Sequence, residues 1–314
     1  MSWKPSASLD DLRKRSVLIA KIRAFFTARG YLEVQTPIMA QFGVTDPYLS
    51  NIPATFRDQT YVLQTSPEYH MKRLLAAGSG PIFQLNQAFR DDELGRWHNP
   101  EFTMLEWYQL GADHLTLLKE VEALVQTILM CPPFLLKTYR EAFLTCCELD
   151  PFIATLSELR QCLSRYELAS VLSPDEEDRD QYLFLLMSHV VEPSFKEWDA
   201  PVAIVDFPPS QASLAKVVSG VAERFEIYYQ GVELANGFHE LTDPVLQSAR
   251  FDEDNMRRRA KQRPEVPCDK YFLQALAHGL PACSGVALGV DRLIAFALGK
   301  ASISEVLAFD HARA

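Results

Sequence analysis

Between Pro81 and Tyr108 the chain carries two runs of alternating side chains, PIFQLNQAFR and EFTMLEWY, separated by the charge-rich stretch DDELGRWHNP. Successive side chains of an extended strand face opposite ways, so Phe83, Leu85 and Phe89 fall on one face of the first run and Gln84, Asn86 and Arg90 on the other. On the second run Phe102, Met104, Glu106 and Tyr108 share a face, which sets a carboxylate between aromatic side chains. Two readings fit this pattern. One is a surface hairpin whose charges are solvated. The other is a concave polar sheet face, with Arg90 as an anion clamp and Phe102 as a stacking platform.

The rest of the chain favours a largely antiparallel α+β domain. SLDDLRKRSVLIAKIRAFFTARG predicts an amphipathic helix: Ser8 and Asp11 fit a capping box, Leu12, Ile19, Ile22 and Phe26 recur at helical spacing, and Gly30 suits the C-terminal cap. A strand over 31–36 ends at Pro37, which cannot donate to a ladder. TSPEYHMKRLLAAG predicts a helix entered through Pro67 and closed by Gly78. Residues 113–191 read as mainly helical, including a helix capped by Ser173 and ended by Pro193. Strands are expected at 31–36, 82–108, 202–207, 225–238 and 284–288, without the regular βα alternation of a doubly wound fold.

Composition narrows the function. The 314 residues are 48% hydrophobic and 11% aromatic, enough for a large core, and no apolar run reaches membrane-spanning length. The charged start, MSWKPSASLDDLRKR, lacks the apolar stretch of a secretory signal, which predicts a cytoplasmic protein. The six cysteines show neither CxxC spacing nor a His/Cys cluster, so they read as reduced thiols. A net charge of −10 repels a polyanion such as RNA unless a local basic patch exists. Neither GxxxxGK nor GxGxxG is present, so a bound nucleotide is held by other means.

Two further stretches carry chemistry. RFEIYYQGVELANGFHEL, 224–241, predicts a hairpin turning at Gln230 and Gly231, with Glu226 opposite Ala235 and Glu233 opposite Tyr228. Both glutamates then share a face as diagonal neighbours, roughly 7–8 Å apart at the backbone, close enough to share a divalent ion. Neutralisation by nearby basic residues, or a glycosidase acid pair, fits the same spacing. Asn236, Phe238 and Glu240 extend this wall. SGVALGVDRLIAFALG, 284–299, predicts a strand, a glycine and a helix with Arg292 in its first turn. A cation there opposes the helix dipole at about 0.3–1 kcal/mol, a cost removed by an anion between Arg292 and the exposed N–H groups. A solvated or otherwise ion-paired arginine is the alternative. Two arginines for phosphate oxygens, two carboxylates for magnesium and an aromatic platform for a base together describe a nucleoside triphosphate on an antiparallel sheet.

These segments resemble the three motifs of class II aminoacyl-tRNA synthetases of the lysyl subgroup: the helix and strand ending at Pro37, FR followed by HNPEFTMLEWY, and GVALGVDR. TSPEYHMKRL and ELANGFHEL extend the likeness through nearly the whole chain. The resemblance implies that Arg90 clamps the α-phosphate and the amino-acid carboxylate, that His98 and Asn99 contact ATP, and that Phe102 stacks on adenine opposite Arg292. It implies magnesium (Mg2+) on Glu226 and Glu233, with the backbone at Leu234 and Gly289 against the nucleotide. Ser66, Pro67, Glu68, Glu106, Tyr108, Asn236, Phe238, Glu240 and Ala287 would line the amino-acid pocket. Three carboxylates there call for a substrate with two amino groups. The first motif begins within the first residues, which leaves no room for the anticodon-binding barrel of a lysyl-tRNA synthetase and predicts a single catalytic domain. In this the chain resembles the elongation factor P (R)-β-lysine ligase family, stand-alone paralogues that attach β-lysine to a lysine of that translation factor. The family's homodimer, through residues 12–37, is expected here, and tRNA as a partner is not. Ser66, Ala235 and Ala287 stand where lysyl-tRNA synthetases usually carry Ala, Gly and Gly, which can reshape the pocket for a shifted amino group. The arginine-x-glutamate of the second motif is Arg90, Asp91, Asp92 here, a shorter reach to adenine. Rival expectations are a truncated synthetase acting on tRNA and a catalytically inactive regulatory paralogue.

Overall fold

A computed structural model describes residues 3–91 and 94–314. Its contacts divide the chain into two compact units, one running up to Met130 and resuming at Glu240–Ala314, the other spanning Cys131–His239.

The first unit opens with α1 (Leu9–Thr27), whose N-cap Ser8 accepts from the Asp11 amide and donates its hydroxyl to the Asp11 carboxylate. Gly30, at φ +78°, turns the chain out of this helix. The expected strand over 31–36 shortens to β1 (Leu32–Glu33) and pairs in parallel. Beyond it the extended chain stays tied: Val34 N donates to Phe83 O, and Thr36 exchanges two hydrogen bonds with the Gln84 side chain. Residues 39–63 form a small antiparallel sheet that the sequence reading did not anticipate, made of β2 (Met39–Ala40), β3 (Ile52–Phe56) and β4 (Gln59–Leu63). Its β3–β4 turn uses Arg57 and Asp58, both at positive φ, where no glycine signals a hairpin.

Helix α2 (Glu68–Ala76) follows Pro67, and then come β5 (Ile82–Phe89), β6 (Glu101–Leu110) and α3 (His114–Leu129). β5 pairs antiparallel with β6, Gln84 opposite Glu106. The buried face carries Phe83, Leu85, Leu105 and Trp107; Phe26 of α1 stacks on Phe83 at 4.7 Å and meets Trp107 edge-on at 5.1 Å. Burying such rings contributes about 1.5–3 kcal/mol each, which fixes β5 and β6 against the helices and leaves their other face for polar groups.

The second unit contains β7 (Leu135–Thr138), α4 (Tyr139–Cys147), α5 (Leu156–Arg165), α6 (Arg179–Leu186), α7 (Glu192–Ser194), β8 (Val202–Phe207), β9 (Val217–Val218), β10 (Val221–Tyr229) and β11 (Val232–His239). α4 and α5 each begin with a Thr/Glu capping box. The helix expected from Ser173 begins instead at Arg179 with Asp178 as its cap; Ser173 closes a turn at 174–175, its carbonyl accepting from Glu176 N and its hydroxyl from Asp175 N. It runs into a π-helical turn at Met187–Val191, and Pro193 sits just beyond, inside α7, where an absent N–H costs little. Apart from the parallel β7–β8 pair, the strand pairings of this unit are antiparallel.

The chain then re-enters the first unit through α8 (Pro244–Ala260), α9 (Lys270–Gly279), β12 (Cys283–Gly289) and α10 (Val290–Ala297). β12 pairs antiparallel with β6, setting Ala287 opposite Glu106 and Gly285 opposite Tyr108.

Candidate active site

The polar face of β6 holds the densest cluster of the first unit. Strand alternation places Glu106 and Tyr108 two residues apart on that face, and the Tyr108 hydroxyl donates to Glu106 Oε1 at 2.7 Å. Ser66, just before α2, donates to Glu106 Oε2 at 2.7 Å while its Oγ accepts from the Glu68 amide at 3.0 Å. Helical i,i+4 spacing sets Glu68 and Lys72 on one side of α2, with Lys72 Nζ 2.6 Å from Glu68 Oε1. The same ammonium lies 2.5 Å from Glu240 Oε2. Glu106 and Glu240 are each 2% exposed and Lys72 1%. Ser66, Glu68, Glu106, Tyr108 and Glu240, all expected in the amino-acid pocket, are therefore joined in one hydrogen-bonded cluster.

Lys72 and Gly285 were missed from the sequence. Their signals were the i,i+4 step from Glu68 and a glycine two residues before Ala287 on the same strand face. A β-carbon at Gly285 would lie 2.3 Å from Tyr108 Cε1 and 2.5 Å from Glu240 Oε1, so the missing side chain is what lets that ring and carboxylate approach the strand.

Too much negative charge sits in too little solvent here. Burial, then the charge of Glu68, pushes Glu106 up to about 8, although Tyr108 and Ser66 donate to its ionised form. Burial also pushes Glu240 up to about 8; Lys72 pulls it down, while Glu68 and Glu106 add to the rise. For Lys72, burial alone would lower the value, but the charges of Glu240 and Glu68 more than offset it and hold the ammonium above its ordinary range.

Arg90 follows β5 directly, its guanidinium 5.3 Å from the centroid of the Phe102 ring, so the clamp and the platform named from the sequence lie side by side. Arg292, in the first turn of α10, donates from Nε to Trp97 O at 3.0 Å, and its Nη2 lies 2.6 Å from His98 Nε2. A guanidinium only donates, so His98 Nε2 is the acceptor in this contact. Asp291 points away from Arg292: it takes Arg15 at 2.6 Å and the Thr103 amide at 2.7 Å. Asn99 donates to Glu101 O and accepts from the His311 amide, which pins the C-terminal segment. The Asp91 amide donates to Ser50 O. Asp92 lies outside the described residues. Gly289 caps α10 with extended backbone and, lacking a side chain, makes no cap hydrogen bond of its own.

In the second unit the hairpin turns at Gln230 and Gly231, both at positive φ, as the sequence indicates. Glu233 stands opposite Tyr228, as expected, but Glu226 stands opposite Asn236 and not Ala235. A bulge inserts Leu234 between the pairs Tyr228–Glu233 and Ile227–Ala235, and the extra residue shifts the parity beyond it. Glu226, Glu233, Asn236 and Phe238 consequently share a face. Glu226 is paired with Arg224 and accepts from the Tyr228 hydroxyl, so it is neutralised in the way the basic-residue reading describes. Glu226 and Glu233 both line a cavity of about 410 Å³ bordered by Arg224, Tyr228, Gln211 and the π-helical turn. Two carboxylates on adjacent strands facing one cavity are a donor set suited to a partly hydrated Mg2+, although Arg224 occupies Glu226 here.

Over residues 2–313 the chain matches the class II tRNA synthetases for D, K and N, and it belongs to that family. Among its relatives is the elongation factor P–(R)-β-lysine ligase of Salmonella typhi, 50% identical over 322 aligned residues that cover 100% of this chain and 98% of the relative.

Proposed function

We propose that this protein uses ATP to activate (R)-β-lysine as an adenylate and transfers it to a lysine side chain of elongation factor P. The observation that carries this reading is the Glu68–Glu106–Glu240 cluster, in which Lys72 pairs with two of the three carboxylates, Ser66 and Tyr108 hold the third, and Glu106 and Glu240 are pushed up to about 8. Such a site favours a ligand that brings positive charge on two nitrogens. The full-length similarity to a ligase of that name supports both the amino acid and the acceptor.

In the first step a carboxylate oxygen of β-lysine attacks the α-phosphorus of ATP in line, the bond to the β-phosphate oxygen breaks, and pyrophosphate leaves. Arg90 and Arg292 balance the charge that builds on phosphate oxygens, and Phe102 offers its face to the base. Within the second unit Glu226 and Glu233 would hold Mg2+, an ion that neutralises phosphate charge when bound. In the second step the acceptor amine attacks the acyl carbon, AMP leaves, and the amine loses a proton to solvent as the amide forms. The cluster around Glu106 holds the substrate ammonium groups and takes no part in breaking bonds. ATP–pyrophosphate exchange dependent on each lysine isomer tests the reading: exchange should be fastest with (R)-β-lysine, and exchange with none of them would refute it.

Three coarser expectations belong here. Among the described residues no helix is long and apolar enough to cross a membrane, and a translation-factor ligase would work in the cytoplasm. We place the two units in one synthetase-like catalytic chain. Val17 of α1 and Leu32 of β1 are exposed, apolar and within the element proposed to form a homodimer. Sedimentation should show a dimer at micromolar concentration, and a monomer would refute that interface.

A further inference from the structure

Lys72 is the cation inside the carboxylate cluster, and none of the roles assigned above accounts for it. Its Nζ spends contacts on Glu68 at 2.6 Å and on Glu240 at 2.5 Å, and the Phe272 ring of α9 lies 5.7 Å away. Glu106 is held separately, by Ser66 and Tyr108. We propose that Lys72 is a specificity-determining positioning residue: its ammonium fixes the charge deficit of the Glu68–Glu106–Glu240 pocket at two, so that a ligand with two ammonium groups neutralises it. This rests on the reading that the pocket takes a diamino acid, and deepens it.

The argument is a charge count in a site with little solvent. Three ionised glutamates and one lysine leave two negative charges, and a buried charge without a partner costs far more than the pair it belongs to. The empty pocket relieves the excess by holding protons, which is why burial and neighbouring acids push Glu106 and Glu240 up to about 8. A diammonium ligand displaces those protons and leaves the site neutral. A monoammonium ligand leaves one proton behind or one charge unmatched, and binds more weakly. The titratable groups that act on or respond to Lys72 are Glu68 from its own helix, Glu106 from β6, Glu240, and Cys283 of β12, whose thiol burial pushes up to about 12.

Calorimetric titration with (R)-β-lysine at pH 7, run in two buffers of different ionisation enthalpy, counts the protons released on binding. The wild type should release about two. Glu240→Gln should release about one, because with Lys72 in place it leaves a deficit of one and the empty pocket holds a single proton. Lys72→Arg, which keeps the charge, should return the wild-type count. Lys72→Met combined with Glu240→Gln removes a buried pair together, a change that folded proteins tolerate better than removing one partner. That double variant should bind more weakly yet release the wild-type number. Two protons released by Glu240→Gln, or only one by the folded double variant, would overturn the role of Lys72. A wild-type protein that binds no lysine isomer would overturn the substrate reading instead.

Discussion

Gly285→Ala is the smallest change that should disable the amino-acid pocket. The added β-carbon would sit 2.3 Å from Tyr108 Cε1 and 2.5 Å from Glu240 Oε1, where ordinary contact begins near 3.4 Å. Tyr108 would have to retreat by about 1.1 Å, and it cannot do so freely: it is 2% exposed and its hydroxyl is committed to Glu106. Overpacking of this kind costs about 1–3 kcal/mol of stability. Displacing substrate-orienting groups by about 1 Å lowers rates by about 100-fold. The backbone itself adds no strain, since Gly285 lies within an ordinary strand. Thermal unfolding and β-lysine-dependent ATP–pyrophosphate exchange read the two effects. The loss should fall on kcat/KM for the amino acid, with KM for ATP changed little. A variant with wild-type melting temperature and wild-type kcat/KM would show that Tyr108 and Glu240 do not form the pocket wall.

Ala287 stands opposite Glu106 on the strand face it shares with Gly285, so Ala287→Gly should shift preference from β-lysine toward α-lysine by about 1–3 kcal/mol in relative kcat/KM, and an unchanged isomer ratio would remove Ala287 from the pocket. Glu233→Gln should abolish adenylation at limiting magnesium, and wild-type exchange under that condition would refute a metal role for Glu233. Stability of the free protein should fall as pH rises. Glu106 and Glu240, at about 8 against an ordinary 4.5, keep protons in the folded state that the unfolded chain has released, so the contribution is complete below about 4.5 and lost as pH passes about 8. Melting curves from pH 5.5 to 8.5 should therefore slope downward, and Glu106→Gln should flatten them; an equal slope in the variant would refute the assignment.

Alternation made β5, β6, β10 and β12 legible, because one buried face and one polar face is a pattern that side-chain order alone records. Where the backbone departs from simple periodicity, the sequence was silent. The bulge at Leu234 depends on local strand twist, and it is what brings Asn236 and Phe238 onto the face of Glu226. The sheet over 39–63 turns on non-glycine residues at positive φ, and the π-helical turn before Pro193 leaves no compositional mark. Lys72 is the most instructive omission. In MKRLL it reads as one of two surface cations on a helix, and only the placement of Glu240, far along the chain, makes it the centre of a buried acid cluster.

Transfer is where the two catalytic outcomes separate. Purified protein, ATP, magnesium and (R)-β-lysine should be incubated with elongation factor P and, in parallel, with lysine tRNA, followed by intact-mass measurement of the factor and acid-stable counting of the tRNA. The account predicts one β-lysyl addition on the factor and no charged tRNA. Charged tRNA with an unmodified factor would contradict it.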